Sequence, residues 1–141
     1  EVTESTLLDA GAVGDILQQV KTLGATIALD DFGTGYASMS SLRSFPFDKI
    51  KIDQSFVQEM NSSSGSAAIV YATLDLASRL GIATTAEGVE TEEQLGVLRA
   101  AGCTTAQGYL IGRPMQAEHI PSFLVQSEVH PLRLRSSVEG P

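Results

Sequence analysis

Two adjacent carboxylates, Asp30 and Asp31, close one short apolar run, and a third carboxylate, Glu87, closes another. Carboxylate oxygens brought together from separate strands can hold divalent cations and so support metal-assisted chemistry on a phosphate ester. Lys51 and Asp53 lie in the alternating segment Lys49-Ile50-Lys51-Ile52-Asp53, which turns these two to one side and Ile50 and Ile52 to the other. An ion pair in which Asp53 orients Lys51 is the simplest role for Asp53, with direct ligation of a cation as the alternative. Plainer chemistry is open to the same residues: Asp30 and Asp31 can satisfy backbone donors at a turn, and Glu87 and Glu90 can complement a helix dipole. Glu87 has the stronger functional case of these two because it ends a buried strand. Gly33 and Gly35 read as conformational glycines, since the chain has neither a GxGxxG fingerprint nor a Gly-Lys-Ser/Thr phosphate loop.

The elements that must position these residues recur as helix, glycine, strand. Val13, Ile16, Leu17 and Val20 recur at helical spacing, Gly24 stands where a cap would end that helix, and Ala25 to Leu29 reads as a strand leading to Asp30 and Asp31. A second helix is predicted over about Ala67 to Leu80, stopped by Gly81, with strand Ile82 to Ala86 leading to Glu87. A third begins after Thr91, with Gln94 in the capping-box position, and ends at Gly102 before a short segment leading to Gln107. Asn61 to Ser66 reads as a flexible surface loop. Strands alternating with helices imply a parallel α/β sheet, and polar groups at strand exits suit the rim of a (β/α) barrel, with a doubly wound open sheet as the alternative.

Composition narrows the class. The 141 residues, 43% hydrophobic, suffice for one packed domain. The formal charge of −8 argues against binding a DNA or RNA polymer, while a small phosphate ligand remains compatible because bound cations invert the field of a carboxylate cluster. Cys103 is the only cysteine, which excludes an internal disulfide and a cysteine-based metal centre and fits a reducing, cytoplasmic setting. It reads as a small core residue, and His119 and His130 as surface or packing residues.

Four segments in order resemble the EAL family of cyclic-di-GMP phosphodiesterases: Asp30-Asp31-Phe32-Gly33-Thr34-Gly35-Tyr36, Lys51-Ile52-Asp53-Gln54-Ser55-Phe56, Ala86-Glu87-Gly88-Val89-Glu90-Thr91 and Gln107-Gly108-Tyr109-Leu110-Ile111-Gly112-Arg113-Pro114. Glu1-Val2-Thr3-Glu4-Ser5 also looks like the family segment that carries a metal-binding glutamate. The resemblance implies hydrolysis of cyclic-di-GMP to linear pGpG at two Mg2+ or Mn2+ ions in a TIM-like barrel. By the same resemblance Glu1, Asp30, Asp31 and Glu87 are metal ligands, with Glu87 and Lys51 catalytic and Lys51 positioning or polarising the attacking water. Gln107 contacts the site or the substrate, and Glu4 and Glu90 support the loop after the aspartate pair and a subunit contact.

A complete barrel of this type takes about 250 residues, so the five strand candidates amount to about the C-terminal half of an EAL barrel. Residues 1–126 are assigned to it and residues 127–141 to a C-terminal tail that is either weakly ordered or packed against a part of the protein outside this segment. Open sheet edges lead to the expectation of a homodimer or of association with the missing half, and of little hydrolysis by this segment alone. Sensory or diguanylate-cyclase-like domains, and a membrane anchor elsewhere in the parent protein, fit the family. The alternative reading is a catalytically degenerate cyclic-di-GMP receptor or protein-interaction module. A barrel enzyme acting on sugar phosphates is a third reading.

Overall fold

The computed structural model describes residues 1–8, 10–35, 42 and 44–126. Tyr36, His130 and the tail expected over residues 127–141 lie outside the described residues. Strand β1 (Val2–Thr3) runs into a short 3₁₀ turn (Glu4–Leu8) and helix α1 (Ala10–Thr22). Strands β2 (Ala28–Phe32) and β3 (Lys49–Ile52) follow, then helices α2 (Gln54–Glu59) and α3 (Ser64–Leu80). Strand β4 (Ala83–Ala86), helix α4 (Glu92–Ala100), strand β5 (Thr105–Ala106), a 3₁₀ turn (Ala117–His119) and helix α5 (Ile120–Gln126) complete the order.

Among the described residues the five strands form one sheet in the order β1-β2-β3-β4-β5, every pair parallel. Each strand lies beside its sequence neighbour, and the order never reverses. A doubly wound sheet binds at the point where its order reverses, so sequential progression is the arrangement of a barrel segment. All strand exits therefore fall on one rim.

The apolar pattern explains the layers. On β3, Ile50 and Ile52 are fully buried while Lys49 and Lys51 are half-buried on the opposite face, as the alternation predicts. Ile50 belongs to a cluster with Leu17, Ile27, Leu29 and Phe47, which packs α1 onto the sheet. Ile52 belongs to a second cluster with Val57, Val70, Leu74, Val89 and Leu98, which packs α2, α3 and α4. Ile16, placed by its spacing on the inner face of α1, is exposed; Val13, Leu17 and Val20 carry that stripe.

The helix stops fall where the glycines predict them: Gly24, Gly81 and Gly102 have φ of +83°, +69° and +86°. The Thr91–Gln94 capping box is formed, with Gln94 N donating to Thr91 Oγ1 at 3.2 Å and Thr91 N donating to Gln94 Oε1 at 3.0 Å. Two boundaries differ. The strand expected over Ala25 to Leu29 pairs over Ala28–Phe32 and so contains both aspartates, because Ile27 already bonds the Asp48 carboxylate through its N–H at 2.7 Å. The serine-rich stretch read as a loop holds the start of α3. Ser63 caps it by accepting from Ser66 N at 3.2 Å, and Ser66 Oγ donates to Glu59 Oε2 at 2.8 Å.

Candidate metal centre on the strand rim

Lys51 is the hub of the site. Its ammonium lies 2.8 Å from Asp30 Oδ1 on β2, 2.8 Å from Glu87 Oε1 just beyond β4, and 3.1 Å from Glu1 Oε1 just before β1. The flanking strands dictate this convergence. In the parallel register Ile52 lies beside Ala86 and Glu87 N donates to Ile52 O at 3.1 Å, so the first residue past β4 stands next to the end of β3. The Lys51 side chain is only 12% exposed and Glu1 59%, so the lysine is enclosed mainly by Asp30 and Glu87. Burial alone would lower the Lys51 pKa, yet the hydrogen bonds its ammonium donates to Asp30, Glu87 and Glu1 raise it above the usual lysine range. Burial pushes the Asp30 carboxyl up, but the Lys51 hydrogen bond and charge, with the Asp31 N–H, outweigh it and hold Asp30 below the ordinary aspartate value.

Carboxylate oxygens of Asp30, Asp31 and Glu87 all lie within 4.8 Å of one another. Two consecutive strand residues should face opposite sides of a sheet. Here the pairing of β2 with β3 shifts register between Leu29 and Phe32, and Asp31 has φ of +54°. A bulge with a left-handed residue re-aims a side chain, and aspartate is among the few non-glycine residues that tolerate it. The three oxygens offer a hard donor set at a spacing that Mg2+ or Mn2+ can bridge with small side-chain adjustment, and the donors present fit such an ion. Three carboxylates, Glu1, Asp30 and Glu87, face one ammonium, and Asp31 adds a fourth carboxylate beside Asp30 and Glu87, which leaves the cluster negative.

The loop after the aspartates is tied down from beneath. Thr34 Oγ1 donates to Asp31 O at 2.8 Å, and the buried Glu4 accepts from Gly33 N at 2.8 Å. On the other side, Gln107 N donates to Ala86 O at 2.8 Å and Val89 N to Gln107 O at 3.0 Å. This backbone stitch needs Gly108, where an added Cβ would stand 2.2 Å from Val89 O and 2.3 Å from Val89 N.

The expected site residues separate into groups. Glu1, Asp30, Asp31, Lys51 and Glu87 come together, and Glu4 supports the aspartate loop. Gln107 reaches the Glu87 loop by its backbone, with its side chain exposed. Asp53 does not take the expected role: it caps α2, accepting from Ser55 N at 3.0 Å and from Ser55 Oγ, because the strand ends at Ile52 and the helix needs an N-cap. Glu90 is exposed and accepts from Gln58 Nε2 of α2 at 3.4 Å. Cys103 is buried, with burial raising its thiol pKa, and His119 is exposed. The sequence pattern did not reveal the break in alternation at Asp31; its signal was an aspartate preceding Phe32-Gly33.

Comparison with known proteins agrees with the fold. The EAL domain family matches residues 1–114. The bifunctional diguanylate cyclase/cyclic di-GMP phosphodiesterase MucR of Pseudomonas aeruginosa is 47% identical over 121 residues, which is 85% of this chain and 18% of that protein. A solved complex of the PaMucR phosphodiesterase with c-di-GMP superposes with a TM-score of 0.81 at 47% identity, covering 84% of this chain and 49% of that one. A manganese and cyclic-di-GMP complex of Klebsiella pneumoniae BlrP1 superposes at 0.74 with 37% identity, covering 80% and 29%. The chain thus spans half or less of these relatives, and its five parallel strands correspond to part of their barrels. It belongs to the EAL domain, cyclic-di-GMP phosphodiesterase family, and covers part of such a domain.

Proposed function

We propose that this chain supplies the later-strand side of a metal-assisted site that hydrolyses cyclic-di-GMP to linear pGpG. The observation that carries the reading is the convergence of Asp30, Asp31 and Glu87 beside Lys51 on one rim. Asp30, Asp31, Glu87 and Glu1 would hold Mg2+ or Mn2+, which when bound supplies charge for the attacked phosphate and acidifies water. Lys51 carries a fixed positive charge that can hold the attacking water, whose oxygen joins phosphorus as the ester oxygen leaves with a proton. Glu4 fixes the loop bearing Asp31, and Gln107, whose backbone bonds Ala86 and Val89 on either side of Glu87, would contact the dinucleotide. Manganese and cyclic-di-GMP in the BlrP1 complex support the choice of ion and substrate.

The remaining parts of the reading concern the parent protein. Strands β1 and β5 are the outer members of the sheet, and the rest of the barrel, or a second copy, would cover those edges, so residues 1–126 alone would turn over little substrate. MucR, bifunctional by name, supports a parent that combines this domain with a diguanylate-cyclase-like one. No helix among the described residues is long and apolar enough to cross a membrane, and a cytoplasmic domain fits a cytoplasmic second messenger. The test is Mn2+-dependent release of pGpG by the complete domain and by its Asp30→Asn variant. A loss of at least about a hundredfold is expected from weakening a ligand of the reacting phosphate's cation, whereas equal turnover would remove Asp30 from the site.

A further inference from the structure

Two sets of contacts share the same atoms' owners. Asp30 and Glu87 belong both to the three carboxylates gathered at cation spacing and to the three that hold the Lys51 ammonium. Asp31 belongs only to the first set and Glu1 only to the second. Asp30 Oδ1 and Glu87 Oε1 each accept from the Lys51 ammonium at 2.8 Å, so a divalent ion drawing on these two carboxylates approaches groups already engaged by a cation. Lys51 is fixed at its base by central strand β3, with Ile50 and Ile52 fully buried on the reverse face, so its backbone cannot withdraw. Only its flexible tip can yield.

We infer that Lys51 is a built-in competitor for the cation site: its ammonium and a divalent ion contend for Asp30 and Glu87, and the ion enters by displacing the lysine tip from them. This rests on the metal-binding reading proposed above and adds a role that such a reading does not require. Before the exchange the lysine neutralises carboxylates that would otherwise repel one another and keeps the bulge at Asp31 assembled. After it, the ammonium is released from Asp30 and Glu87 beside the ion and becomes a donor for water. One side chain thus serves as placeholder and then as water-positioning group, and ion entry is coupled to the change of role.

The experiment measures Mn2+ binding by the loss of its free-ion electron paramagnetic resonance signal, and thermal unfolding in EDTA, on the full chain with Lys51, Lys51→Met and Lys51→Arg. Competition predicts that Lys51→Met binds Mn2+ about tenfold more tightly, the equilibrium equivalent of one charge-assisted hydrogen bond that no longer has to be surrendered. It also predicts that Lys51→Met melts lower than wild type in EDTA and regains the difference in excess Mn2+, while Lys51→Arg, which keeps the charge, stays closer to wild type in both measurements. Mn2+ affinity in Lys51→Met equal to or weaker than wild type overturns the inference and leaves the metal site standing. Absence of Mn2+ binding in all three proteins overturns the metal reading itself. The melts in EDTA then still judge the lysine, since an unchanged melting temperature in Lys51→Met removes its role as the neutralising cation.

Discussion

Glu4 is where fold and site can be separated by one substitution, because it touches the aspartate loop without belonging to the carboxylate cluster. It is buried and accepts from Gly33 N at 2.8 Å, and a Cβ added to Gly35 would lie 2.7 Å from Glu4 Oε2, so the loop folds closely over the carboxylate. Glu4→Ala removes a hydrogen bond to a charged acceptor, worth ~1.5–3 kcal/mol, and leaves a void where methylene groups packed, at ~0.8 kcal/mol for each. Part of this is offset because the buried charge goes too. A net loss of ~2–4 kcal/mol follows, a fall in Tm of roughly 6–15 °C for a chain of this size. The loop carries Asp31 at φ +54°, a conformation that persists only while its surroundings enforce it. Mn2+ affinity, read by the free-ion resonance, should therefore fall about tenfold although Glu4 lies outside the Asp30, Asp31 and Glu87 group. Glu4→Gln, which keeps an acceptor for Gly33 N, should lie between. A Glu4→Ala protein with unchanged Tm would refute the anchoring; a lowered Tm with unchanged Mn2+ affinity would refute the link from anchor to site.

Gly108→Ala should cost ~3 kcal/mol or more, because its Cβ meets the Val89 backbone at 2.2 Å and no rotamer relieves that contact; a wild-type melting curve would disprove the close approach. Asp48 ties α1 and the base of β2 to β3, pairing with Lys21 and accepting from Ile27 N at 2.7 Å, and these partners hold its carboxyl below the usual aspartate range. A depressed folded value means that its stabilisation is present above the unfolded value and is lost as pH falls through the folded one. Asp48→Asn should therefore cost about 1 kcal/mol at pH 7, given solvent screening at a partly exposed pair, and the gap in urea stability should close as pH drops below about 4. A gap independent of pH would contradict this.

Much of the scaffold was legible because it is written in local patterns. Gly24, Gly81 and Gly102 stop helices, the Thr91–Gln94 box starts one, and the alternation in Lys49 to Ile52 separates core from rim. The clustering of Asp30, Lys51 and Glu87 was legible for the same reason, since sequentially ordered parallel strands put their exits together. What escaped depends on competition between neighbouring signals. Asp53 continues the alternation of its strand, but it also begins Asp53-Gln54-Ser55, and the helix after it claims the side chain as a cap. Ser63 to Ser66 has loop composition, yet serine is favoured at helix starts and the apolar face of α3 extends the helix back to it. Asp31 follows neither helix nor strand period; its left-handed backbone is fixed by the register shift against β3, a long-range pairing that no local window contains.

The place of each clustered side chain in the sheet determines how firmly this chain holds it. Lys51 lies on the central strand, with paired neighbours on both sides, and Asp30 lies on β2 between β1 and β3. Glu87 follows β4, which is paired to β3 and β5, and its N–H is held by Ile52 O. These three are only 12–19% exposed and are fixed by contacts within the chain. Glu1 precedes the outer strand β1, only two residues long, and is 59% exposed. Its geometry is the member of the cluster that a covering strand beyond β1 would alter, because an edge strand has only one ladder to hold it. A partial barrel therefore carries a graded cluster: side chains near the middle of the sheet are set by this sequence, and the one at its edge is set jointly with whatever packs against that edge.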